Sequence, residues 1–348
     1  MDAVQTADIL HLPLHLFDKV AVHLDNMDIL NFARTSKDAE HYVKISRRYF
    51  SNVKIRVNLD SARFSCIDKE QKQLILSYWP LKGKKCNVYF AYDLAYGRVP
   101  GFRGGARIIR GIERNQEIVD SHVKRAVKDF DLNFCAPNVI IGSMSFSVGS
   151  PTDYRSTGFY NHLKRTMTAS KTQLKVKKLT FTTRVNRKEI MELLPFFNPY
   201  YLEELHIDSL DMTFPLWPIT ETEHWKNLKK ATFGRSNFQI EKFLEIGEVE
   251  DKRKTIKLRD YQKFIETALT VHDKKIDVTI KITDEIDPAV MNAFELLAKF
   301  NNEPDTSRFI QFPNNNNKFL KIQIFDDRTY GWEAEYFTVF KVSKVDRA

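Results

Sequence analysis

The segments VKKLTF (176–181), LEELHI (202–207) and LKKATF (228–233) decide the fold of this chain. Each segment has apolar residues at its first, fourth and sixth positions, and successive segments begin 26 residues apart. The second and third positions carry a charged doublet each time: Lys177-Lys178, Glu203-Glu204 and Lys229-Lys230. Apolar columns alone can arise by chance in a chain that is 43% hydrophobic, but a recurring charged doublet makes coincidence a poor explanation. The three segments therefore predict one short strand per repeat.

The 26-residue period is typical of leucine-rich repeats, which use about 20 to 29 residues for each unit of strand and helix. Such a unit buries its apolar side only against the next unit, which gives a curved solenoid. Capping-box pairs between the segments predict three helix starts: Asn186 with Glu189, Thr220 with Glu223, and Ser236 with Gln239. The connections contain four prolines: Pro195, Pro199, Pro215 and Pro218. We therefore predict irregular leucine-rich-like repeats with a core at 174–285.

Further elements are predicted on both sides of the repeats from the spacing of apolar residues. Before the repeats we expect a hairpin at 52–57 and 63–66, strands at 87–92, 139–141 and 144–148, and helices at 112–130 and 157–169. After the regular spacing ends we expect a strand at 256–258, a helix at 261–269, a strand at 276–282, a helix from Pro288, and a terminal hairpin of 319–325 and 336–342. The predicted fold class is mixed, α+β or α/β.

The composition indicates a folded protein of a reducing compartment. Only 12 glycines and 12 prolines occur among 348 residues. Cys66, Cys86 and Cys135 have no short spacing, so neither a zinc site nor a disulfide framework is predicted. The N-terminus lacks the basic start of a signal peptide, and no apolar stretch approaches the roughly 18 residues of a membrane-spanning helix. We expect a cytoplasmic or nuclear protein without membrane contact.

The net charge of +9 raises the possibility of an anionic partner such as nucleic acid. The lysines and arginines are spread along the chain and mixed with acids, and no known nucleic-acid-binding module accompanies them. We therefore do not expect direct binding to nucleic acid, although it stays an alternative.

No catalytic motif is present in the sequence. The nine histidines are scattered, and neither Gly-x-Ser-x-Gly nor His-Glu-x-x-His occurs. We expect a protein that is not an enzyme and that uses no cofactor or metal, with an unrecognised enzyme as the alternative.

The N-terminal stretch LPLHLFDKVAVHLDNMDILNFARTSKDAEHYV (12–43) predicts three short helices. Proline favours the first turn of a helix, and Leu16, Val20 and Leu24 then recur on one helical face. Asp25 and Asn26 can cap a second helix. Segments below about 40 residues rarely bury enough apolar surface to be stable alone, so this stretch needs a neighbour. The simple alternative is a helical hairpin packed on its own domain.

The Leu-Pro opening, the Leu-x3-Val-x3-Leu helix and the following Leu-Asp resemble an F-box. Five further segments resemble nematode F-box proteins that carry the FTH domain (F-box A type): KVKKL (175–179), LLPFFNP (193–199), LEEL (202–205), HWKNLKK (224–230) and LRD (258–260). This resemblance implies an F-box at 8–46, a β-rich connecting segment at 47–110 packed on the repeats, and an FTH-like domain at 111–348. The whole chain would then be a small three-helix F-box followed by an irregular leucine-rich-repeat-like α/β solenoid with β-hairpin caps.

The same resemblance implies the substrate-recognition subunit of a Skp-adaptor/cullin/F-box (SCF) ubiquitin ligase. The residues expected to bind the Skp-type adaptor, and through it a cullin, are Leu12, Pro13, Leu16, Phe17, Val20, Leu24, Ile29, Leu30 and Phe32. The residues expected to line the surface for a target protein are Lys177, Thr180, Glu203, His206, Lys229 and Thr232. The alternatives are a repeat scaffold without ligase linkage and the nucleic-acid binder named above.

Overall fold

A computed structural model describes the chain at residues 16–17, 29, 32–33, 35–58, 61–68, 71–83, 85–97, 107–148, 154–182, 187–208, 217–234, 236, 238–271, 274–283, 286–301, 307–313, 315–328 and 336–346. The chain divides into two compact units. The first unit comprises Met1–Val185 and Glu192–Tyr201, and the second comprises Asn186–Met191 and Leu202–Ala348.

The first unit contains a mixed sheet in the order β7-β6-β1-β2-β3-β4-β5. Its strands are β1 (Arg48–Asn58), β2 (Ser61–Asp68), β3 (Gln73–Pro80), β4 (Cys86–Gly97), β5 (Arg107–Ile118), β6 (Val139–Val148) and β7 (Lys175–Phe181). Strands β1 to β5 pair antiparallel in succession, whereas β6 is parallel to both β1 and β7. Helices α1 (Lys37–Ile45), α2 (His122–Phe134) and α3 (Tyr154–Ser170) accompany the sheet.

Aromatic side chains attach the helices of the first unit to one face of its sheet. The buried ring of Phe64 on β2 lies 6.1 Å from Phe130 and 6.3 Å from Phe134 of α2, and 6.4 Å from Phe159 of α3. Burial of each large side chain contributes roughly 1.5 to 3 kcal/mol before entropy costs. This face is the core. On the opposite face, the side chains of β1 and of Arg63 on β2 are exposed, whereas Ile75 on β3 and Ala91 on β4 are buried.

The second unit contains a sheet in the order β12-β13-β14-β11-β10-β9-β8. Its strands are β8 (Glu204–Ile207), β9 (Lys230–Phe233), β10 (Glu248–Arg253), β11 (Asp277–Ile282), β12 (Ser307–Phe312), β13 (Asn315–Arg328) and β14 (Tyr336–Asp346). Strands β8 to β11 are parallel, and β14, β13 and β12 continue the sheet antiparallel. Its helices are α5 (Glu223–Asn227), α6 (Leu258–Thr270) and α7 (Pro288–Asn301), while α4 (Arg187–Leu193) has residues in both units. Short 3₁₀ helices occur at Trp217–Glu221 and Ile240–Glu245, and the 3₁₀ helix Leu194–Phe196 belongs to the first unit.

The repeat segments form strands as the sequence predicts. Their first, fourth and sixth residues are all buried: Val176, Leu179, Phe181, Leu202, Leu205, Ile207, Leu228, Ala231 and Phe233. The parallel register pairs Glu204 with Lys230 and Ile207 with Phe233, so partners on β8 and β9 are 26 residues apart. The partners of β9 on β10 lie only 18 residues further along the chain. The parallel strands are thus observed, but the spacing is not uniform, and a regular solenoid is not shown.

The same burial pattern extends to segments that the sequence analysis did not select. FSNVKI (50–55) on β1 and IGSMSF (141–146) on β6 bury their first, fourth and sixth residues, in register with VKKLTF on β7. IGEVED (246–251), which includes the start of β10, does the same, with Asp251 at the sixth position. Buried residues separated by three positions and then by two cannot all face one side of a regular strand, so each strand carries a local irregularity after its first buried residue.

Several predicted elements are confirmed by the structure. These are the β1–β2 hairpin, β4, β6, α3, α6, β11, α7 and the antiparallel pair β13–β14. At the start of α7 the Asp287 carboxylate accepts the Ala289 N–H at 2.9 Å, as the Asp-Pro signal predicts. The mixed α/β class is therefore confirmed.

Four predictions of local structure are wrong. Residues 112–130 do not form one helix, because the first part belongs to β5, which pairs along β4, and only His122–Phe134 is helical. The strand at 256–258 lies instead at Glu248–Arg253, and helix α6 already begins at Leu258. Thr222, not Thr220, caps α5, and its hydroxyl accepts the Trp225 N–H. Gln239, not Ser236, stands at the N-cap of the 3₁₀ helix Ile240–Glu245.

Most of the predicted three-helix module lies outside the described residues. Within the described part, residues 16–17, 29 and 32–33 are helical, and α1 is the helix whose bounds are defined. A complete three-helix F-box is not evident in this part of the chain. Among the described residues, no helix combines the length and apolar character needed to cross a membrane.

Candidate docking surfaces

The N-terminal residues that the structure describes form a small aromatic cluster. The Phe17 ring is fully buried, stacked on Phe32 with centroids 5.4 Å apart, and lies 5.1 Å from Tyr42 of α1. Ile29 is also buried, whereas Leu16 remains 38% exposed. Phe17 therefore helps to hold this segment together. Of Leu16, Phe17 and Ile29, Leu16 is the residue whose side chain is exposed and available to a partner.

Helix α1 links this cluster to the core of the first unit. Its first turn is capped by the Ser36 hydroxyl, which accepts the Ala39 N–H at 3.0 Å. In its last turn the Lys44 ammonium lies 3.1 Å from the Asp131 carboxylate of α2 and 3.2 Å from Glu40. Burial lowers the pKa of Lys44, but the two carboxylates outweigh this effect and the pKa is raised. The cation is therefore fixed at this junction.

Four of the nine residues predicted to bind the adaptor are placed by the structure: Leu16, Phe17, Ile29 and Phe32. The other five lie outside the described residues: Leu12, Pro13, Val20, Leu24 and Leu30. Contact of these nine side chains with an adaptor stays a prediction.

Four of the six residues predicted to bind a target lie in the second unit, on or beside its parallel strands. His206 pairs in register with Thr232, which pairs with Glu250. The Lys229 ammonium lies 3.1 Å from the Glu203 carboxylate. His206 and Thr232 lie on the sheet face that alternates with the buried column, and Glu203 and Lys229 directly precede β8 and β9.

Ion pairs between strands balance the charge of this open face of the second unit. Lys230 binds Glu248, Lys281 lies 2.8 Å from Glu250, and Lys341 lies 3.5 Å from Asp277. The hydrogen bond from Lys230 lowers the pKa of Glu248. Opposite charges at facing positions stabilise a sheet by about 0.2 to 1 kcal/mol each. These side chains therefore have structural partners, and target binding by them stays a prediction.

Lys177 and Thr180, the remaining two predicted residues, belong to β7 of the first unit. We call the surface around them the open face of the first unit. It lies opposite the helices and comprises Tyr49, Lys54, Arg56, Arg63, Ile140, Ser145, Lys175, Lys177 and Thr180. Most of this surface was not predicted from the sequence. Its signal was available, because 50–55 and 141–146 share the apolar spacing of the repeat segments.

A buried ion pair fixes the segment before α6 in the second unit. Asp251 is fully buried, and its carboxylate lies 2.6 Å from the Arg253 guanidinium. Arg253 also donates to the Ser236 hydroxyl and the Phe238 carbonyl, both at 3.4 Å, and lies over the Phe243 ring. Burial raises the pKa of Asp251, and Arg253 only partly opposes that effect. The enclosed geometry indicates a structural role.

The described part of the chain contains no group of three His, Cys, Asp or Glu side chains that could hold a metal ion. Two histidines, His122 and His162, line a cavity of about 260 Å³ in the first unit. The three cysteines are buried and free, and burial raises the pKa of each thiol. The absence of a cofactor and of enzyme activity stays a prediction.

These features define a class of protein. It is a mixed α/β chain in which the parallel strands of each unit bury the side chains on one face and expose polar side chains on the other. Residues 157–297 match the family model of the FTH domain. The match extends from α3 into α7 and covers about two fifths of the chain, so this part of the chain is similar to the FTH domain. Searches of curated proteins and of solved structures returned no match.

Proposed function

We propose that this protein is the substrate-recognition subunit of a Skp-adaptor/cullin/F-box ubiquitin ligase. The observation that carries the proposal is the FTH domain at 157–297, because the sequence resembles F-box proteins that carry this domain. The proposed F-box is the segment 8–46, and the repeat strands supply the surface for a target protein.

The described N-terminal residues support an adaptor-docking role in two ways. The helical turns at 16–17, 29 and 32–33 fit a compact helical module. Leu16 is 38% exposed, although burying a leucine fully is worth roughly 1.5 to 3 kcal/mol. Leu16 is exposed although the adjacent Phe17 is buried, which is the pattern expected of a side chain that becomes buried when a partner binds.

The mechanism in this proposal is proximity. A substrate receptor holds a target near a charged conjugating enzyme and so lowers the entropic cost of ubiquitin transfer without supplying a nucleophile. The partners are a Skp-type adaptor, a cullin and a target protein, and no direct role for nucleic acid or a membrane is proposed. The three buried free thiols suit the reducing cytoplasm or nucleus, where the proposal places the protein.

The proposal is tested by co-purification of the full chain with a Skp-type adaptor. We expect the Leu12→Ala/Leu16→Ala variant to lose the adaptor, because hot-spot truncations commonly cost 2 kcal/mol or more, roughly thirtyfold in Kd. Circular dichroism should show an unchanged fold. A matched control is Val119→Ala/Phe325→Ala, which shortens two exposed apolar side chains elsewhere and should leave adaptor binding unchanged.

Two results would contradict this assignment. If the wild-type chain does not bind the adaptor, the protein is better explained as a repeat scaffold without ligase linkage. If the leucine variant binds as well as the wild type, the N-terminal segment is not the adaptor-binding module.

A further inference from the structure

We propose that the open face of the first unit binds an extended, acidic peptide segment of a target protein. The segment carries an apolar side chain at one end and carboxylates at the other. This inference rests on the proposed function only in taking the ligand to be a protein, since the face is described independently of the adaptor.

One end of this face is apolar and exposed. Tyr49, Ile140 and Lys175 are register neighbours on β1, β6 and β7. Tyr49 is 45% exposed and Ile140 is 39% exposed. The Lys175 ammonium lies 5.6 Å from the centre of the Tyr201 ring, which places this 41% exposed tyrosine beside the row. Large exposed apolar side chains that cluster on one surface mark interaction sites.

Gly142 keeps this apolar end shallow. A Cβ atom at residue 142 would lie 2.8 Å from the Ser51 carbonyl oxygen and 3.0 Å from the Tyr49 hydroxyl. The Tyr49 side chain therefore leans along the sheet over the glycine instead of standing upright. The floor of the face continues through the small residue Ser145, which pairs with Lys54 and Thr180. A peptide can approach the backbone closely along this floor.

The other end of the face is basic. Arg56 on β1 stands directly opposite Arg63 on β2, and Lys54 lies two residues before Arg56. All three side chains are exposed, and within the described part of the chain none of them has a carboxylate partner. Strands β1 and β7 contain lysine or arginine, and none of β1, β6 and β7 contains aspartate or glutamate.

Two arginines at facing positions repel each other, which destabilises a sheet. The second unit shows the contrast, because its open face alternates acids and bases in ion pairs. A carboxylate bound between Arg56 and Arg63 removes the repulsion and gains charge-assisted hydrogen bonds. The charge of this end therefore fits an anionic ligand.

The two ends are spaced for one short extended peptide. Tyr49 and Arg56 are seven residues apart on β1, which corresponds to about 23 Å at about 3.3 Å per residue. An extended peptide of about eight residues covers this distance, and alternate side chains point to the same face. Strand β1 has one extra residue at the irregularity between Phe50 and Asn52. In a regular extended peptide, an apolar residue with acids four and six positions away would therefore match Tyr49, Lys54 and Arg56.

A protein ligand fits these observations better than nucleic acid. Binding of single strands relies on bases stacked upon aromatic rings. The apolar end contains the exposed tyrosines Tyr49 and Tyr201, but Tyr49 lies along the sheet over Gly142 and the central side chain is Ile140, which has no ring. The exposed cations at the basic end form one compact group. An aliphatic contact suits the side chain of a peptide.

The test measures fluorescence anisotropy of labelled eight-residue Ser/Gly peptides with the full chain. Each peptide carries one tryptophan and two glutamates four and six positions away, and the reversed order is tested as well. We expect binding that weakens about fivefold to thirtyfold in Tyr49→Ala and in Arg56→Ser/Arg63→Ser. The wild-type chain should bind a peptide with glutamine in place of glutamate as weakly as the Arg56→Ser/Arg63→Ser variant binds the acidic peptide.

The matched control removes the same charge elsewhere. Lys254→Ser/Arg259→Ser deletes two exposed cations of the second unit and should bind the acidic peptide like the wild type. Thermal unfolding of every variant verifies the fold, and the arginine variant should melt no lower than the wild type because repulsion is removed.

Three results would overturn the inference: no peptide binds, the glutamine peptide binds as well as the acidic one, or a thymidine oligonucleotide binds more tightly and loses binding in the arginine variant. The last result would assign the face to nucleic acid. Adaptor co-purification with the same variants separates the two proposals. If the variants of this face lose the peptide but keep the adaptor, the result concerns the peptide-binding face alone. If the wild-type chain does not bind the adaptor, the result contradicts the ligase assignment alone.

Discussion

At the scale of single residues, Asp251 differs most from what its position in the sequence predicts. It occupies the sixth position of a repeat-like segment, where the other such segments place phenylalanine or isoleucine. The carboxylate is fully buried against Arg253. A buried ion pair stabilises little by itself, but removing one partner leaves an unpaired charge. The pair therefore specifies the local path of the chain between Ser236 and Arg253.

The raised pKa of Asp251 predicts how stability depends on pH. An aspartate in the unfolded chain ionises near pH 3.9, at about its ordinary pKa, and the folded state ionises at higher pH because burial opposes the charge. Between the pKa of the unfolded state and that of the folded state, ionisation favours the unfolded state. The contribution of Asp251 to the free energy of unfolding therefore falls as pH rises and then levels off. We expect the free energy of unfolding of the wild type minus that of Asp251→Asn to decrease as pH rises above about 4.

Urea unfolding of both proteins across this pH range measures the difference. A difference that grows with pH would show that attraction to Arg253 outweighs burial and that the folded pKa is below its ordinary value. That result would contradict the predicted direction.

At the scale of elements, the end of β9 depends on a glycine. A Cβ atom at Gly234 would fall on the Asp208 side chain and lie 3.0 Å from the Asp208 Cα atom. The Gly234 N–H also donates to the Ile207 carbonyl at 2.8 Å, so the two segments are held close together after β8 and β9. The close approach of backbone to backbone explains why a side chain does not fit here.

We expect Gly234→Ala to lower the free energy of unfolding by about 1 to 3 kcal/mol, the usual cost of overpacking. Gly158→Ala is the matched control, because Gly158 lies within helix α3 and a Cβ atom added there would have no neighbouring heavy atom within 4 Å. Alanine there should raise stability by about 0.5 to 1 kcal/mol. Guanidinium unfolding measures both variants. Equal effects of the two substitutions would contradict the predicted close contact.

Elements also show where local sequence patterns fail. The apolar spacing of 112–130 suits a helix, but β5 pairs with β4 over Cys86 to Gly97 and takes the first part of this stretch. The gain from cross-strand pairing depends on residues distant in the chain, which a local pattern does not contain. In contrast, α6 and α7 have strong local apolar faces and form where the sequence predicts.

At the scale of the whole molecule, all three thiols belong to the core of the first unit. Cys66 and Cys86 are fully buried and Cys135 is 5% exposed. Burial raises the pKa of all three, so little reactive thiolate is present at neutral pH. The thiols therefore report on the opening of this unit.

We expect the native protein to react slowly with Ellman's reagent, which labels thiols. The protein unfolded in guanidinium chloride should react rapidly and release three equivalents of the chromophore, one for each cysteine. The reaction followed by absorbance gives the measurement. Serine substitution of each cysteine in turn assigns the residual rate. Rapid labelling of the native chain would contradict the predicted burial.

The sequence by itself determined the parallel repeat strands, their buried column and the mixed α/β class, because a 26-residue period and a recurring charged doublet are visible without knowledge of distant contacts. Tertiary structure alone decided which segments with this apolar spacing become neighbours, since β1, β6 and β10 lie at irregular intervals along the chain and only the register pairs β6 with β1 and β7, and β10 with β9. It also brought Arg56 opposite Arg63 and set Tyr49 beside Ile140. Pairing between distant segments creates that surface, and no local pattern encodes which strands become neighbours.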